Sequence, residues 1–275
     1  MVRYIKIDVK LKPHDIKPLP FIGSTLRGSF GVSLKKVLCI NPSYECNGCF
    51  AKDSCLYYDF YEEKNQAHQY RFDFALNPKT YDFSLYLFEN ASEKLPYVIS
   101  ALHKMLTEQG LGVKREKFEI DQISCNDHVV FKDGSFDLKN ANAKEFEVSD
   151  FQKSVKVSFK TPLRMKYQGK LLNQKPPLES LLYSISNRLS EIKKLPKTKL
   201  TFTPAYKEKS HDIKFLDQSR RSNRQKTKLQ IGGVVGDIMY EKIDEKSLIL
   251  LQLGEIIGVG KQCVFGMGKI EVKNL

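Results

Sequence analysis

The sequence contains no apolar run long enough to cross a membrane. A membrane-spanning helix needs roughly 18 uninterrupted apolar residues, and no segment approaches that length. The first residues alternate polar and apolar side chains, so they lack the continuous apolar region of a secretory signal peptide. We therefore expect a cytoplasmic protein with no membrane partner. In that reducing compartment, clustered cysteines are better interpreted as metal ligands than as disulfide-bonded pairs.

Familiar catalytic signatures are also missing. No Ser/His/Asp set and no paired-carboxylate motif stands out. A helix-turn-helix recognition element is absent as well, which disfavours a DNA-binding regulator stabilised by zinc. Any catalytic chemistry must therefore come from other residues.

Positive charge is what the sequence has in excess. Its 45 Lys and Arg residues outnumber 32 Asp and Glu residues, giving a formal net charge of +13. This balance favours a polyanionic partner, with nucleic acid as the first expectation and an anionic membrane as the second. A length of 275 residues with 41% hydrophobic content suits two modest domains or one large one.

The first half of the chain alternates between strand-like and helix-like patterns. Alternation predicts a strand over residues 2–11, and apolar residues three and four apart predict a helix over 24–38, capped by Ser24 or Thr25. Two aromatic-rich strands, a helix and a last strand follow at Tyr70–Leu76, Tyr81–Phe88, 93–109 and Lys117–Ser124. This order matches the ferredoxin-like βαββαβ unit.

The same approximate order returns in the second half. The predicted elements are a strand around Val155, a helix opened by Pro176-Pro177, a strand or hairpin over 226–242, a helix over 247–257 and a final strand over 263–273. Residues 132–150 are polar and predict a linker or surface loops. We therefore predict an α+β fold with domains over residues 1–145 and 146–275, which repeat an architecture without strong residue-level similarity.

Four cysteines cluster behind the first predicted helix. Their spacing is C-x6-C-x2-C-x5-C, and the Cys-x2-Cys pair is the usual spacing of a zinc knuckle. Four sulfur ligands leave no open position, so we expect structural zinc, with an iron–sulfur cluster as the chemical alternative. Two local disulfides or four unrelated thiols are the other interpretation. The predicted ligands, within the loop 39–55, are Cys39, Cys46, Cys49 and Cys55.

A glycine-rich loop lies near the C-terminus, where two Gly-x-Gly pairs flank five residues. Glycine permits positive φ and close approach of a partner, and such a loop presents bare N–H groups that suit phosphate oxygens. The loop is not a dinucleotide-binding fingerprint, because a helix and not a strand precedes it. It is not a Walker loop either, because its lysine is followed by Gln262 and not by Ser or Thr. A tight turn between helix and edge strand is the alternative. The predicted backbone-binding residues are Gly258, Gly260, Lys261, Gly266 and Gly268.

A basic segment precedes this loop in the second half. Residues 207–228 hold eight Lys or Arg. Their mixture with Ser, Asn and Gln suits contacts to phosphates and base edges, although a basic run can also be plain solvated surface. The residues predicted to bind nucleic acid are Arg220, Arg221, Arg224, Gln225 and Lys226.

The five histidines give weak signals. His14 lies in the loop before the first helix and His211 in the basic segment, so either could meet an RNA backbone. His103 lies within a predicted helix, where a surface or core role is expected. His68 and His128 lie beside strands with no partner that the sequence identifies.

Together these features resemble one family, the CRISPR-associated endoribonucleases of the RAMP superfamily that process precursor CRISPR RNA. The loop Gly258–Gly268 fits the family pattern G-h-G-x5-G-h-G in full. The cysteine insertion resembles the subset associated with type III systems. Two further segments carry the resemblance: Leu26-Arg27-Gly28-Ser29-Phe30-Gly31, and Arg221-Ser222-Asn223-Arg224-Gln225 leading into Ile231-Gly232-Gly233.

The resemblance implies two tandem ferredoxin-like domains and a CRISPR repeat RNA substrate. It also implies a cut without catalytic metal, in which the ribose 2′-OH attacks the adjacent phosphate and leaves a 2′,3′-cyclic phosphate. A base, an acid and a cation would share the proton transfer and charge stabilisation.

The family often places a catalytic His or Tyr in or just after the first helix, whereas residues 24–38 contain neither. We expect His14 first and His211 second as proton-transfer groups, with Lys35 and Lys261 as charge stabilisers. Lys36 and Tyr44 are further candidates.

The absence of that helix residue favours a second interpretation, a non-catalytic RAMP scaffold subunit that holds guide RNA in an effector complex. A type III effector complex, adaptation proteins and a second copy of the chain are partners that the resemblance leaves open.

Overall fold

The computed structural model describes residues 2–64, 66–150, 152–217, 219–222, 227–230 and 232–275, the segments 219–222 and 227–230 by their backbone alone. The chain divides into two compact units, Met1–Glu145 and Phe146–Leu275. No helix in these described ranges is long and apolar enough to reach across a bilayer.

The N-terminal unit is a βαββαβ fold extended at one edge. Its main elements are β1 (Arg3–Leu11), α1 (Gly23–Leu38), β2 (Tyr70–Asp73), β3 (Phe83–Phe88), α2 (Leu95–Lys104) and β4 (Ile120–Cys125). Short strands β5 (His128–Lys132), β6 (Ser135–Phe136) and β7 (Lys144–Glu145) follow. A 3-10 turn (Lys52–Ser54) and a π-helical turn (Tyr58–Glu62) lie between α1 and β2, and Glu89–Lys94 and Met105–Gln109 form corresponding turns at the two ends of α2.

The strands of this unit form an antiparallel sheet in the order β2-β3-β1-β4-β5-β6, with β7 also paired to β1. Alternate residues Ile5, Ile7 and Val9 of β1 are buried, because neighbouring side chains of a strand point to opposite faces of its sheet. The apolar stripes of α1 and α2 are buried as well and complete the core.

The C-terminal unit repeats the arrangement. Its elements are β8 (Val155–Leu163), β9 (Lys166–Tyr167), β10 (Lys170–Leu171), α3 (Leu178–Ile192), β11 (Lys207–Leu216), β12 (Ser219–Ser222), β13 (Thr227–Gln230), β14 (Gly233–Glu241), α4 (Glu245–Ile257) and β15 (Ile270–Asn274). The main sheet has the antiparallel order β11-β14-β8-β15, while β9–β10 and β12–β13 are separate two-stranded ribbons. In both units the sheet order, taken with the βαββαβ sequence of elements, is that of a ferredoxin-like domain.

The predicted fold class is confirmed, since helices and antiparallel strands follow the expected order in both units. Several details differ from the sequence-based expectations, among them β11, which lies in a segment that was predicted only as a basic stretch. Helix α1 already starts at Gly23, so Ser24 and Thr25 lie in its first turn and neither side chain caps it. The last strand begins only at Ile270, after a glycine-rich turn. The segment 132–150 contains β6 and β7 and is therefore more than a linker.

Asp244 caps the N-terminus of α4 and ties it to the preceding loop. Its carboxylate accepts hydrogen bonds from the Ser247 N–H at 3.0 Å, the Ser247 hydroxyl at 2.7 Å and the Ala205 N–H at 2.8 Å. Partial burial acts to raise the pKa of Asp244, yet these hydrogen bonds outweigh it, so its pKa lies below the ordinary value. The ionised carboxylate therefore stabilises the folded state.

We predict that Asp244→Ala lowers the free energy of unfolding by about 1 kcal/mol, the usual cost of losing an N-cap. Because the folded-state pKa is lowered, the part of the stability that depends on ionisation is present above the unfolded pKa of about 4 and is lost as pH falls through the folded pKa. Asp244→Asn keeps a capping oxygen and should lose only that pH-dependent part. Urea unfolding between pH 2 and pH 7 measures both effects, and equal pH dependence in Asp244→Asn and the wild type would contradict the assignment.

Candidate functional site

The loop Gly258–Gly268 is tightly folded against the end of β8. Gly258 and Gly260 have φ of 80°, and Gly266 and Gly268 have φ of 78° and 69°, in the range that disfavours other residues. A Cβ added at Gly260 would lie 2.5 Å from the Arg164 carbonyl oxygen, and one at Gly268 would collide with the Val259 carbonyl. The glycines are therefore required by the packing of the loop itself.

Several loop N–H groups are already bonded within the protein. The Lys261 N–H donates to the Arg164 carbonyl at 2.7 Å, and the Gly268 N–H donates to the Pro162 carbonyl at 3.1 Å. The Gly260 N–H donates to the Ser184 hydroxyl at 2.9 Å. Further internal bonds run from the N–H groups of Val259, Phe265 and Gly266 to the carbonyls of Gly268, Gln262 and Cys263. The expectation that the loop offers bare N–H groups to phosphate is wrong at these positions.

The side chains around the loop still present positive charge. The side chain of Lys261 is exposed, whereas Arg164 donates from its guanidinium to the Gly232 carbonyl at 3.0 Å. Strand β11 carries further exposed lysines, but Lys207 and Lys209 lie at the opposite end of the sheet from the loop and pair with Glu241. Phosphate binding by Lys261 stays a prediction.

The residues of the basic segment that were predicted to bind nucleic acid lie outside the part of the chain whose side chains the structure describes. Arg220 and Arg221 lie on β12, paired with Leu229 and Lys228 of β13, but only their backbone is described. Arg224, Gln225 and Lys226 lie outside the described residues. Their contact with RNA stays a prediction.

His211 is exposed on β11 and bonded to a carboxylate. Its Nδ1 lies 2.7 Å from Glu208 Oε1, and Lys175 forms an ion pair with the other oxygen. Burial acts to raise the pKa of Glu208, but the bonds from Lys175 and His211 outweigh it and hold that pKa below its ordinary value. The carboxylate is therefore ionised at neutral pH and accepts the Nδ1 proton. His211 is accessible, and its catalytic role stays a prediction.

His14 lies in a setting that does not suit proton transfer to a substrate. Its ring packs edge-on against Phe118 at 4.9 Å and near Tyr81 at 6.1 Å, measured between ring centroids. Both ring nitrogens are buried, and neither has a hydrogen-bond partner within the described part of the chain. This burial argues against our first choice of His14 as the base, because a base must reach the proton it removes.

A cluster of aromatic rings covers one face of α1. The guanidinium of Arg27 lies 4.5 Å from the centre of the Tyr61 ring, its Nε donates to the Tyr70 hydroxyl at 2.9 Å, and its Nη2 donates to the Phe60 carbonyl at 3.3 Å. The Tyr61 hydroxyl donates back to the Arg27 carbonyl at 2.7 Å. Gly31, one turn further on, permits this contact, since a Cβ there would lie 2.5 Å from the Tyr61 ring.

Lys35 follows on the same helical face, eight residues after Arg27. Its ammonium lies 5.0 Å from the centre of the Tyr57 ring, and Tyr57 stacks on Tyr61 with centroids 5.2 Å apart. Lys35 is half-buried and Lys36 is exposed. Arg27 and Lys35 therefore both lie against the rings that pack on α1, of which Phe60 and Tyr70 are buried in the core. The role of Lys35 as a charge stabiliser stays a prediction.

Tyr61 and Tyr70 of this cluster remain protonated at neutral pH. Burial is the main cause that raises the pKa of Tyr70, and it raises the pKa of Tyr61 well above its ordinary value. The opposing effect of the Arg27 charge is smaller in both cases. Their hydroxyl groups therefore serve as hydrogen-bonding groups and not as bases.

His68 joins the same cluster, which the sequence did not indicate. Its Nδ1 lies 2.7 Å from the carbonyl oxygen of Asp59, and its ring centre is 6.0 Å from that of Tyr70. The Asp59 carbonyl belongs to the π-helical turn Tyr58–Glu62. No periodicity signals such a turn, so the sequence shows His68 only as a histidine beside a strand.

The four cysteines are half-buried, and none of them forms a disulfide bond in the structure. The N–H of Cys49 donates to the carbonyl of Cys46 at 3.3 Å, which closes a turn between these two residues. Within the described ranges, however, no three His, Cys, Asp or Glu side chains lie close enough together to hold a metal ion. The structure therefore contains the local turn of the Cys-x2-Cys pair, but it does not bring the four thiols close enough together to bind one metal ion.

Two family models match the chain, one in each unit. Residues 2–143 match AF_1859_N, an N-terminal domain, and residues 157–270 match CRISPR_Cas6, the CRISPR-associated endoribonuclease Cas6. A curated relative, an uncharacterized protein of Archaeoglobus fulgidus, is 26% identical over 287 aligned residues, which cover 93% of this chain and 92% of the relative.

Solved structures share the fold along the whole chain. The Cas6 (TTHA0078) product complex has a TM-score of 0.57 at 16% identity and full coverage of both chains. The Cas6 (TTHB231) product complex, of the Thermus thermophilus protein, has a TM-score of 0.58 at 13% identity and covers 99% of both chains. At these identities the likeness establishes the fold. Because the AF_1859_N model spans more than half of the chain, the chain belongs to the AF_1859_N family, and most of its second unit matches the CRISPR-associated endoribonuclease Cas6.

Proposed function

We propose that this protein is an endoribonuclease that cleaves CRISPR repeat RNA by attack of the ribose 2′-OH on the adjacent phosphate. The products are guide RNA ending in a 2′,3′-cyclic phosphate and a fragment with a free 5′-OH, and no catalytic metal takes part. The match of residues 157–270 to the Cas6 endoribonuclease model is the observation that carries this proposal. The net charge of +13 supports a polyanionic substrate.

The residues of the chain supply charge and proton transfer to this reaction. The transition state carries extra negative charge on the phosphate oxygens, which a nearby cation stabilises more strongly than it stabilises the ground state. Lys35 on α1 is the candidate for this role in the N-terminal unit. Lys261 and the arginines Arg220, Arg221 and Arg224 hold the RNA backbone in this proposal.

We predict that the protein cuts repeat RNA at one position in the presence of EDTA. Replacing the 2′-OH at that position by hydrogen should abolish the cut and leave the dissociation constant nearly unchanged, because the nucleophile is lost while the backbone contacts remain. Denaturing gels of end-labelled RNA measure the cut, and filter binding measures affinity. Cleavage of the 2′-deoxy RNA would show that another nucleophile acts.

A non-catalytic scaffold that holds guide RNA is the second candidate function. It is favoured by the lack of His and Tyr in residues 24–38 and by the burial of both His14 nitrogens. Tight binding of repeat RNA by the wild-type protein without any cut would select this function over the endoribonuclease.

We predict that RNA affinity falls steeply with salt and that Lys261→Ala and Arg224→Ala each flatten this dependence. On single strands, log K falls by about 0.7 per phosphate contact for each unit of log salt concentration. Each variant should therefore reduce the slope by about 0.7. Lys12→Ala is the matched control, since it removes the same charge from a side chain already paired with Glu119 at 2.9 Å. Unchanged slopes in both test variants would mean that the loop lysine and the basic segment are solvated surface.

We also propose that the loop 39–55 binds one structural zinc ion through Cys39, Cys46, Cys49 and Cys55. Four thiols with a Cys-x2-Cys turn are the donor set that zinc prefers. Because the four thiols are not close together in the structure, the loop must change conformation to bind the ion. Metal affinity is therefore coupled to the folding of the loop.

We predict one equivalent of zinc in elemental analysis of the purified protein. Cys46→Ser should lose the metal and lower the melting temperature, while the single-turnover rate of RNA cleavage changes little, because the site has no open coordination position. A visible absorption band with stoichiometric iron would select the iron–sulfur alternative. No stoichiometric metal of either kind would contradict the proposal.

A further inference from the structure

Arg164 connects the two segments of the C-terminal unit that carry the predicted RNA contacts. It directly follows β8, and its carbonyl oxygen accepts a hydrogen bond from the Lys261 N–H of the glycine loop at 2.7 Å. Its guanidinium Nη1 donates to the carbonyl of Gly232 at 3.0 Å. Gly232 lies two residues after the ribbon β12–β13, which belongs to the basic segment. One residue therefore contacts both the glycine loop and the base of this ribbon.

Glycines on both sides permit the close contacts at this end of β8. A Cβ at Gly260 would lie 2.5 Å from the Arg164 carbonyl oxygen, and one at Gly233 would lie 2.6 Å from the Leu163 carbonyl oxygen. Only residues without a Cβ let two further stretches of backbone approach so closely. The position of Arg164 is therefore fixed by packing from both segments.

The guanidinium of Arg164 has no carboxylate partner in the part of the chain that the structure describes. A Cβ at Gly232 would lie 3.4 Å from the Asp217 carboxylate, yet that carboxylate forms no ion pair with Arg164. Residues 218–231 contain no Asp or Glu that could supply one. Because Arg164 is half-buried, its charge is only partly hydrated, and a bound anion would stabilise it.

The remaining donors of this guanidinium suit a phosphate group. Among the described residues, Nε and Nη2 of Arg164 have no hydrogen-bond partner, and neither atom is buried. The Nε–H and Nη2–H groups of an arginine point the same way and form a fork that binds two oxygens of one phosphate. Because Nη1 is held by the Gly232 carbonyl, this fork is oriented before any ligand binds.

Further positive charge lies close to Arg164 along the chain and across its hydrogen bonds. Lys261 is exposed, and the ribbon β9–β10 that follows Arg164 presents exposed Lys166 and Lys170. None of these three lysines forms an ion pair with a described residue. Residues 218–231 add five Lys or Arg. Clustered cations without counterions attract a polyanion and bind its phosphates.

We infer that Arg164 is an RNA-binding residue, and that its Nε and Nη2 bind one phosphate of the repeat RNA. The glycine loop and the basic ribbon then form one continuous binding surface with Arg164 between them. The sequence did not indicate this residue, because it lies outside both the basic segment and the glycine pattern. The inference rests on the proposed function, which supplies the RNA.

The test measures binding of repeat RNA that carries a 2′-deoxy nucleotide at the cut site. We expect Arg164→Gln to raise the dissociation constant by about 10-fold, the usual effect of losing hydrogen bonds from a charged group. The slope of log K against log salt concentration should fall by about 0.7. Arg164→Lys keeps the charge but loses the fork, so its affinity should fall while its slope stays near wild type. Arg3→Gln is the matched control and should change neither quantity, because that arginine is already paired with Glu93 at 2.6 Å.

A second measurement separates an RNA contact from a purely structural bond to Gly232. Phosphates of the RNA are replaced one at a time by neutral methylphosphonates. We expect one replacement to weaken binding by the wild type about 10-fold and to leave binding by Arg164→Gln nearly unchanged, because the partner of that phosphate is already lost. Equal sensitivity of the wild type and Arg164→Gln at every position would overturn the inference, even if Arg164→Gln binds more weakly.

Melting temperatures show whether each variant is folded at the assay temperature. Arg164→Lys can still donate to the Gly232 carbonyl, so the methylphosphonate comparison can be made with this variant if Arg164→Gln is unfolded. A reduced sensitivity at one phosphate is then the expected result. Wild-type affinity and salt slope in Arg164→Gln, together with cleavage of unmodified RNA by the wild type, would overturn the inference and leave the proposed function intact. A wild-type protein that does not bind repeat RNA would overturn both.

Discussion

Each unit depends on its first strand, which is hydrogen-bonded to a neighbour on both sides. In the N-terminal unit β1 pairs with β3 and β4, and in the C-terminal unit β8 pairs with β14 and β15. A slip of one residue in such a strand would turn its buried side chains to the opposite face. The alternation of Ile5, Ile7 and Val9 against the polar residues between them therefore fixes the register. That register in turn decides where the helices lie and where their connecting loops emerge.

Both candidate regions are fastened to strands of these sheets. The glycine loop is tied to the end of β8 through the carbonyls of Pro162 and Arg164. His68 is tied to β2, whose pairing with β3 begins two residues later at Tyr70. Binding and catalytic groups are commonly placed on loops that a rigid scaffold positions. Here the same strand–helix order supplies the scaffold in each unit, while the loops differ in length and chemistry.

The sequence predicts the parts of this structure that are periodic. The strand β1 and the helix α1 were found within one residue at each end, because one-sided burial imposes a regular spacing of apolar residues. Residues 263–269 were wrongly assigned to a strand, because the positive φ of Gly266 and Gly268 is incompatible with extended backbone.

The site was harder to predict because its contacts depend on irregular backbone. His68 meets Asp59 only because a π-helical turn brings that carbonyl under the ring. The position of His14 before the first helix was visible, but its packing between Tyr81 and Phe118 was not. A histidine in a loop carries no sequence signal that distinguishes a packed ring from an accessible one.

Arg27 is a charged residue of α1 whose contacts are structural. A guanidinium against aromatic rings is costly unless its donors are satisfied, and here Nε and Nη2 bond to Tyr70 and to the Phe60 carbonyl. Gly31 lets the Tyr61 ring lie directly on the helix, so the cation is covered as well as bonded. The guanidinium of Arg27 therefore holds the aromatic segment against α1 through internal hydrogen bonds. The same holds for the glycine loop, whose N–H groups fasten the loop to β8. In the proposed function, the positive charge that contacts an RNA backbone therefore comes from other side chains, which include the exposed or half-buried lysines Lys35, Lys36 and Lys261.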